Sequence, residues 1–249
     1  MISAVVLTKN EEENISECIK CLKFSKDIVV VDDNSTDKTV LIARKHGAKV
    51  YKRDMEMNYA EQSNFAMKKT RGDWVLFVDA DERVSEILEK EILEKISIDT
   101  ISGFYVKRKD YIWGKRLKYG EIGAFKSLRL VRKGSGKWIR RVHPFFDVQG
   151  KTQTLINPLF HYPHKDLFKF FESINRWSTW HALANNEEGK RSSLFKVVVW
   201  PLAHFSRNFI LRLGFLDGIE GFVFAIVMSF HSFLAWGKVW MLQKGSTKI

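Results

Sequence analysis

Cysteine is scarce: the 249 residues carry two, Cys18 and Cys21. Two cysteines make no disulfide framework and fit a reducing compartment. Their C-x-x-C spacing suits a redox pair or half a zinc site, but no second pair completes a zinc site. Both lie in a segment with helical apolar spacing, where free thiols pack as small hydrophobes. Glycine-rich phosphate loops are missing as well. Neither G-x-G-x-x-G nor the Walker A pattern occurs, which argues against a dinucleotide enzyme or a P-loop NTPase. No signal peptide is expected, because Met1 runs directly into the strand pattern Ile2–Leu7. Acidic residues are outnumbered, 29 to 41, leaving a net charge of +12. The excess is concentrated: Gly103 to Arg141 holds 13 basic residues, opposed by Asp110 and Glu121 alone. Such a block points to a polyanionic partner, whether nucleic acid, phospholipid headgroups or phosphorylated glycans.

What is present begins with an apolar fraction of 45%, enough for one large domain or one domain with an appendage. The strongest signal is Trp74-Val75-Leu76-Phe77-Val78-Asp79-Ala80-Asp81-Glu82. An apolar run of strand length ends in two carboxylates one residue apart. Buried strands take Val, Leu and Phe and have no use for charge. Asp-x-Asp places two hard oxygen donors together, which suits a divalent cation carrying a diphosphate. The alternative is that the pair caps a helix beginning near Val84.

Over the first 100 residues strand patterns at Ile2–Leu7, Asp27–Val31, Ala48–Tyr51 and Trp74–Val78 alternate with helical ones at Asn10–Phe24, Thr36–His46 and Tyr59–Lys69. This βαβα series predicts an α/β fold with a mostly parallel sheet and helices on both faces. Polar clusters close three strands: Thr8 with Asn10, Asp32 with Asp33, and Asp79 with Asp81. Open α/β sheets bind ligands beyond their C-terminal strand ends, so three clusters on one edge predict one site. Thr, Asn and Glu after the first strand suit hydrogen bonding to a flat heterocycle, and Asp32 suits an N–H of a base. Asn10, Asn34, Ser35 and Thr36 also suit helix caps.

From Ile101 to about His161 short strands (Phe104–Lys107, Ser127–Val131, Leu159–His161) alternate with basic, glycine-containing loops. A mixed, partly antiparallel extension of the sheet is expected. From Lys165 onward the pattern is helical and aromatic. Residues 221–237 carry no Asp, Glu, Lys or Arg, at the short end of the roughly 17–25 residues of a membrane span. Arg207, Arg212, Lys238 and Lys244 flank the apolar stretches, with Trp236 and Trp240 nearby. That is an interfacial signature, and helices lying in or dipping into one leaflet are expected. A single span, and a soluble appendage or oligomer interface, are the alternatives. The division expected is a catalytic domain at 1–164, with halves 1–100 and 101–164, and a helical membrane-associated region at 165–249.

The segments LTKNEE (7–12), VVDDNSTD (30–37) and WVLFVDADE (74–82), in this order and spacing, resemble family 2 glycosyltransferases of the GT-A fold. The later segments Arg129-Leu130-Val131-Arg132, Val142-His143-Pro144 and His161-Tyr162, with Gly214-Phe215-Leu216-Asp217-Gly218, resemble the bacterial lipopolysaccharide-core glucosyltransferase-like branch. The resemblance implies a Rossmann-like GT-A sheet and an inverting transfer from a nucleotide-diphosphate sugar. Thr8, Asn10 and Glu11 would line the nucleobase pocket, with Lys9 where many relatives carry an aromatic ring. Asp32 would read the base. Asp79 would face the ribose or the metal, Asp81 would hold Mg²⁺ or Mn²⁺, and His161 matches a downstream metal-binding histidine. Relatives often carry Glu after Val-His as the general base, but here Pro144 takes that place. Asp147 is the nearest carboxylate, with His143 and Glu121 as alternatives.

The implied acceptor is a hydroxyl of a phosphorylated cell-envelope glycan or glycolipid. The implied location is the cytoplasmic face of the inner membrane, on an anionic surface, peripheral or monotopic, with no nucleic-acid partner. No oligomeric state follows. A metal-dependent nucleotidyltransferase and a non-catalytic anionic-membrane-binding protein are the rival readings. The second does not account for three polar clusters at successive strand ends.

Overall fold

The computed structural model describes residues 1–123, 125–163 and 166–246. The expected boundary at 164–165 lies outside the described residues. Two compact units emerge: residues 1–108 with 125–161, and 109–124 with 162–249. The segment 109–124, assigned from sequence to the acceptor-side half, thus groups with the helical region.

The elements in chain order are β1 (Ile2–Thr8), α1 (Ile15–Lys20), β2 (Asp27–Asp32), α2 (Thr39–Lys45), β3 (Lys49–Lys52), α3 (Tyr59–Lys69), β4 (Trp74–Asp79), β5 (Glu82–Arg83), α4 (Glu86–Lys95) and β6 (Ile101–Ile112). They continue with β7 (Lys115–Leu117), β8 (Lys126–Arg132), β9 (Gly136–Ile139), β10 (Phe145–Val148), β11 (Lys151–Thr154), β12 (Leu159–His161), α5 (Leu167–Glu187), α6 (Leu194–Phe205) and α7 (Gly218–Gln243).

In the first unit the strand order is β3-β2-β1-β4-β8-β6-β12-β5. The pairs β2–β3, β1–β2 and β1–β4 are parallel. β8 runs antiparallel to β4 and to β6, so the mixed extension expected beyond residue 100 is present. The central strands are buried on both faces, as parallel strands flanked by helices must be. One core cluster gathers Ile15, Ile19 and Leu22 with Val6, Leu76, Leu88 and Phe104. The other gathers Val5, Val29 and Phe77 with Trp138 and Phe146 of a separate two-stranded ribbon, β9–β10. Gly72 enters β4 so close to the first strand that a Cβ would collide with the Ser3 amide and the Met1 carbonyl.

Helix α1 is shorter than the pattern Asn10–Phe24 predicts. Asn10 takes a left-handed φ of +55°, and the loop after it is laced to the loop after β2. The Asn10 amide donates to Ser35 Oγ at 2.8 Å, the Glu11 amide to Thr39 Oγ1 at 2.7 Å, and the Thr36 amide to Asn10 Oδ1 at 2.9 Å. Side-chain oxygens here satisfy backbone groups that a helix turn would otherwise satisfy.

In the second unit α5 packs on α7 through Phe170, Ile174, Phe224 and Val227. Lys238 is not an exposed flank, as its sequence position suggested. It is buried, and its three N–H groups are shared among four acceptors, the Asn175 carbonyl, Asn175 Oδ1, Ser178 Oγ and Thr179 Oγ1, all 2.7–2.8 Å from Nζ. A buried ammonium requires such partners. Asp217 is buried too and accepts the Lys118 and Tyr119 amides, each at 2.9 Å. A Cβ on Gly221 would strike the Gly214 carbonyl, and one on Gly214 the Asn208 carbonyl. This close approach accounts for the glycines of the 214–221 turn. Helix α6 buries none of its residues, although Leu194, Phe195, Val198, Trp200 and Leu202 lie along it. Residues 214–243 have the length and apolar composition of a membrane span, yet one end carries the buried Lys238.

Candidate active site

The strand register places three polar ends side by side. Thr8 of β1 lies opposite Asp32 of β2, and Leu7 lies opposite Asp79 of β4. Thr8 is buried, and its hydroxyl has no hydrogen-bond partner, an uncommon state for a buried polar group. Asp32 is wholly buried and accepts the Ser35 amide at 3.0 Å and the Ser35 hydroxyl. Asp33 accepts the Met55 amide at 3.0 Å and Lys9 Nζ at 2.9 Å. Lys9 therefore covers Asp33 rather than standing free. Asn10 and Glu11 are part of the inter-loop lacing, and Glu11 Oε2 also accepts Asn14 Nδ2 at 2.8 Å.

Beyond β4, Asp79 and Asp81 have different neighbours. Asp81 Oδ2 is 3.2 Å from His161 Nε2, at the end of β12. Asp79 Oδ2 accepts Arg129 Nη2 of β8 at 2.7 Å. The same nitrogen donates to Glu82 Oε1 at 3.0 Å, and Glu82 Oε2 accepts the Asp79 amide at 3.0 Å. Burial alone would raise the Asp79 carboxyl, but the Arg129 guanidinium outweighs it and the net shift is downward. Glu82 is fully buried; desolvation dominates there and its carboxyl is pushed up. Burial disfavours the charged form of Arg129, and the two carboxylates more than reverse this, holding it firmly protonated. Neither aspartate caps α4. Ser85 does, its Oγ accepting the Leu88 amide at 3.2 Å.

The two cysteines sit beneath this loop. Cys18 Sγ contacts the Asp79 carbonyl at 3.5 Å, and the Val84 amide donates to Cys21 Sγ at 3.3 Å. Both thiols are free, and burial pushes Cys18 well up and Cys21 up, the environment of packing thiols.

The candidate bases are dispersed. Asp147 is exposed on β10, opposite Lys137 of β9. His143 is exposed in the preceding loop at φ +53°. Glu121 belongs to the second unit, where its Oε2 accepts Asn208 Nδ2 at 3.2 Å and lies 3.5 Å from His204 Nε2. Much of the basic block works within the fold. Arg132 stacks on Trp74, Arg108 on Phe125, and Lys133 donates to the Thr70 carbonyl at 2.7 Å. Arg129 and Glu82 lie in segments that carry the family resemblance, but neither they nor Arg108 were assigned a site role from sequence. Glu82 directly after Asp-x-Asp and an arginine inside a buried strand were the available signals.

The family model described as "Glycosyl transferase family 2" matches residues 3–162. The lipopolysaccharide core biosynthesis glycosyltransferase LpsC of Rhizobium meliloti is 27% identical over 247 residues, covering 96% of this chain and 92% of LpsC. Among solved structures, Staphylococcus aureus TarS with UDP-GlcNAc aligns with a TM-score of 0.52 at 14% identity, over 100% of this chain and 93% of that one. Glucosyl-3-phosphoglycerate synthase from Mycobacterium tuberculosis, with Mn²⁺, UDP and glucosyl-3-phosphoglycerate, aligns at a TM-score of 0.50 and 16% identity, over 78% and 81%. These structural likenesses place the fold as GT-A-like α/β.

Proposed function

The chain belongs to glycosyl transferase family 2, and we propose that it moves a sugar, with inversion, from a nucleotide-diphosphate donor to a hydroxyl of a cell-envelope glycan or glycolipid. The observation that carries this reading is the row of Thr8, Asp32 and Asp79 across three neighbouring strand ends, with Asp81 and His161 beyond it. Thr8, Asn10, Glu11 and Asp32 bind the nucleobase in this proposal. The unpartnered Thr8 hydroxyl is a hydrogen-bonding group still to be satisfied. Asp79, whose side chain is 46% exposed, takes the ribose.

A divalent cation, Mg²⁺ or Mn²⁺, fits the residues present. A carboxylate oxygen and an imidazole nitrogen already lie 3.2 Å apart, a donor pair suited to Mn²⁺ and tolerant of Mg²⁺. Asp81 and His161 would hold it, and when bound it would offset charge on the leaving diphosphate. The Mn²⁺ and UDP bound by the mycobacterial synthase support this assignment. A general base then takes the acceptor proton as the hydroxyl attacks the anomeric carbon and the nucleoside diphosphate leaves. Asp147 is assigned that role first, with His143 and Glu121 as alternatives.

The name of LpsC supports a lipopolysaccharide-core acceptor. The unburied apolar face of α6, with exposed Arg207, Arg212 and Lys244, supports seating on the anionic cytoplasmic leaflet. The test is product analysis with purified protein, Mn²⁺, UDP- or GDP-sugars and lipopolysaccharide-core acceptors. The expected result is release of nucleoside diphosphate with an inverted glycosidic linkage. Pyrophosphate release from a nucleoside triphosphate instead would establish the nucleotidyltransferase reading.

A further inference from the structure

In the second unit the end of β6 and the returning β7 form a hairpin, with Asp110 opposite Leu117, Tyr111 opposite Arg116 and Ile112 opposite Lys115. Side chains alternate between the two faces of a strand. One face carries Ile112 and Leu117 into a small core with Ile122. The other carries Lys109, Tyr111 and Arg116, all half-buried. Directly opposed residues share a face, their Cβ atoms about 4.5–5.5 Å apart. Tyr111 is also stacked on Tyr162, with ring centroids 5.3 Å apart and planes at 23°. Tyr162, the residue after His161, remains 41% exposed. The two cations of β7 differ. Lys115 is matched, by Glu220 at 2.9 Å and by the Asp217 carbonyl at 2.6 Å. Arg116 has no such counterpart among the described residues, and its Nε is buried without a hydrogen bond. A buried donor left unmatched costs free energy, and here it belongs to a side chain that is always charged.

We propose that this face of the hairpin, Arg116 together with Tyr162 braced by Tyr111, binds an anionic sugar: a sugar ring bearing a phosphate or a carboxylate. The inference rests on the glycosyl-transfer reading above, and the anionic sugar is part of the acceptor. The two components recognise different halves of the ligand. The planar guanidinium matches the oxygens of a phosphate or carboxylate in pairs, which a lysine ammonium does not. The negative face of the tyrosine ring attracts the C–H groups on the apolar face of a sugar. Neither half suffices alone. A bare anion leaves the aromatic ring uncovered, and a neutral sugar leaves the charge unmatched. Stacking on Tyr111 holds Tyr162 in place before the ligand arrives, which lowers the ordering cost of binding. A nucleic acid also offers phosphates and flat rings, but it is held by a groove that tracks its backbone past successive stacking residues. The hairpin presents one ring and one guanidinium.

The experiment is a ligand-observed NMR titration of the full chain with glucose 6-phosphate, glucuronate, glucose, inorganic phosphate and a short oligonucleotide. The two anionic sugars are expected to bind about tenfold more tightly than glucose or inorganic phosphate, with saturation passing from aromatic protons to the sugar ring. The tighter of the two identifies the anion. Arg116→Gln is expected to weaken both anionic sugars about tenfold, the scale of one hydrogen-bonded charge pair, and to leave glucose unchanged. Arg116→Lys should recover part of the loss, because it restores the charge without the fork. Tyr162→Ala should weaken all three sugars and spare inorganic phosphate. Native protein that binds glucose 6-phosphate no better than glucose, or no better than inorganic phosphate, overturns the proposal whether or not the variants fold. So does a folded Arg116→Gln variant with unchanged affinity for both anionic sugars. An oligonucleotide bound more tightly than either anionic sugar overturns it in favour of a nucleic-acid site. Failure of the underlying reading is distinct. Anionic sugars that bind through Arg116 to a protein that releases no nucleoside diphosphate from any sugar nucleotide would remove the transfer reading and leave a sugar-binding site. Sugar transfer by a protein that does not bind them removes only the inference.

Discussion

The two units differ in what they leave exposed. The first packs its apolar strands inside, and the carboxylates it buries have named partners. Asp27 accepts from Ser3, Lys49 and the Arg71 amide, and Glu91 accepts from the Ile156 and Asn157 amides. The second unit buries Lys238, Asp217 and Asn208 while leaving Leu194, Leu211 and Ile219 77–80% exposed. A fold stable in water puts its apolar groups inside because that is where the hydrophobic term is gained. The second unit forgoes that gain over a contiguous stretch, the pattern of a surface completed by another apolar phase. This contrast supports the proposed membrane seating better than the bare length of residues 214–243, since α7 is partly held by protein contacts.

The most severe way to break the contrast is to charge the turn between α6 and α7. Leu211, Leu213 and Leu216 replaced together by Glu should lower partitioning onto anionic vesicles about a thousandfold, from roughly 1.5 kcal/mol lost per leucine. Leu41 and Ile87 of the first unit are 68% and 65% exposed, yet replacing them by Glu should leave vesicle sedimentation unchanged. Equal loss from both sets would show that exposure, not the unit, governs binding.

Next in size is Asp81→Ala. Loss of the carboxylate proposed to hold the metal should reduce kcat/KM about a thousandfold, several kcal/mol of transition-state stabilisation. The melting temperature should fall by only about a few degrees, because the residue is half-exposed and the ion pair lost is the one to His161. Full turnover with added Mn²⁺ would remove Asp81 from the metal site.

The contrast also explains what the sequence could convey. The strands at Ile2–Leu7 and Trp74–Val78 and the carboxylates beyond them were legible because continuous Val, Ile, Leu and Phe leave no other use for a charged ending. Helix α1 was overextended because the lacing of Asn10 and Glu11 to the 35–39 loop is tertiary, and helical periodicity does not contain it. Arg129 was hidden in a basic block that suggested an external polyanion, whereas its partners are Asp79 and Glu82, 50 and 47 positions away. Lys238 misled for the mirror reason. Flanking an apolar run it resembles a headgroup anchor, and only the packing of α5 on α7 supplies the four acceptors that bury it.

A smaller effect tests the first unit's buried charge. Burial raises the Asp27 carboxyl, but the bonds from Lys49, Ser3 and the Arg71 amide outweigh it, leaving the folded value depressed. Its contribution is therefore present above the unfolded value near 3.9 and fades as pH falls through the folded one. Asp27→Asn should cost about 2 kcal/mol in urea unfolding at pH 7, as for hydrogen bonds to a charged group. The gap to the native protein should narrow below about pH 4. A gap constant down to pH 3 would mean that packing, not charge, makes the contribution.

The smallest effect compares two helix caps. Ser85 caps α4, whose Leu88 and Ile92 are core residues, and Ser193 caps α6, which buries nothing. Each hydroxyl accepts an amide three residues on, from Leu88 at 3.2 Å and from Lys196 at 3.3 Å. Locally the two bonds are equivalent, so any difference must come from what each helix is attached to. Ser85→Ala should cost about 1 kcal/mol of cooperative stability, because fraying α4 withdraws side chains from the core. Ser193→Ala in water should cost within about 0.3 kcal/mol, since fraying a helix with no buried face stays local. On anionic vesicles the Ser193 variant should acquire a measurable cost, because the proposed seating would give α6 the buried face it lacks in water. Equal losses in water would mean that α6 is tied into the cooperative unit after all, and the contrast between the two halves would lose its energetic content.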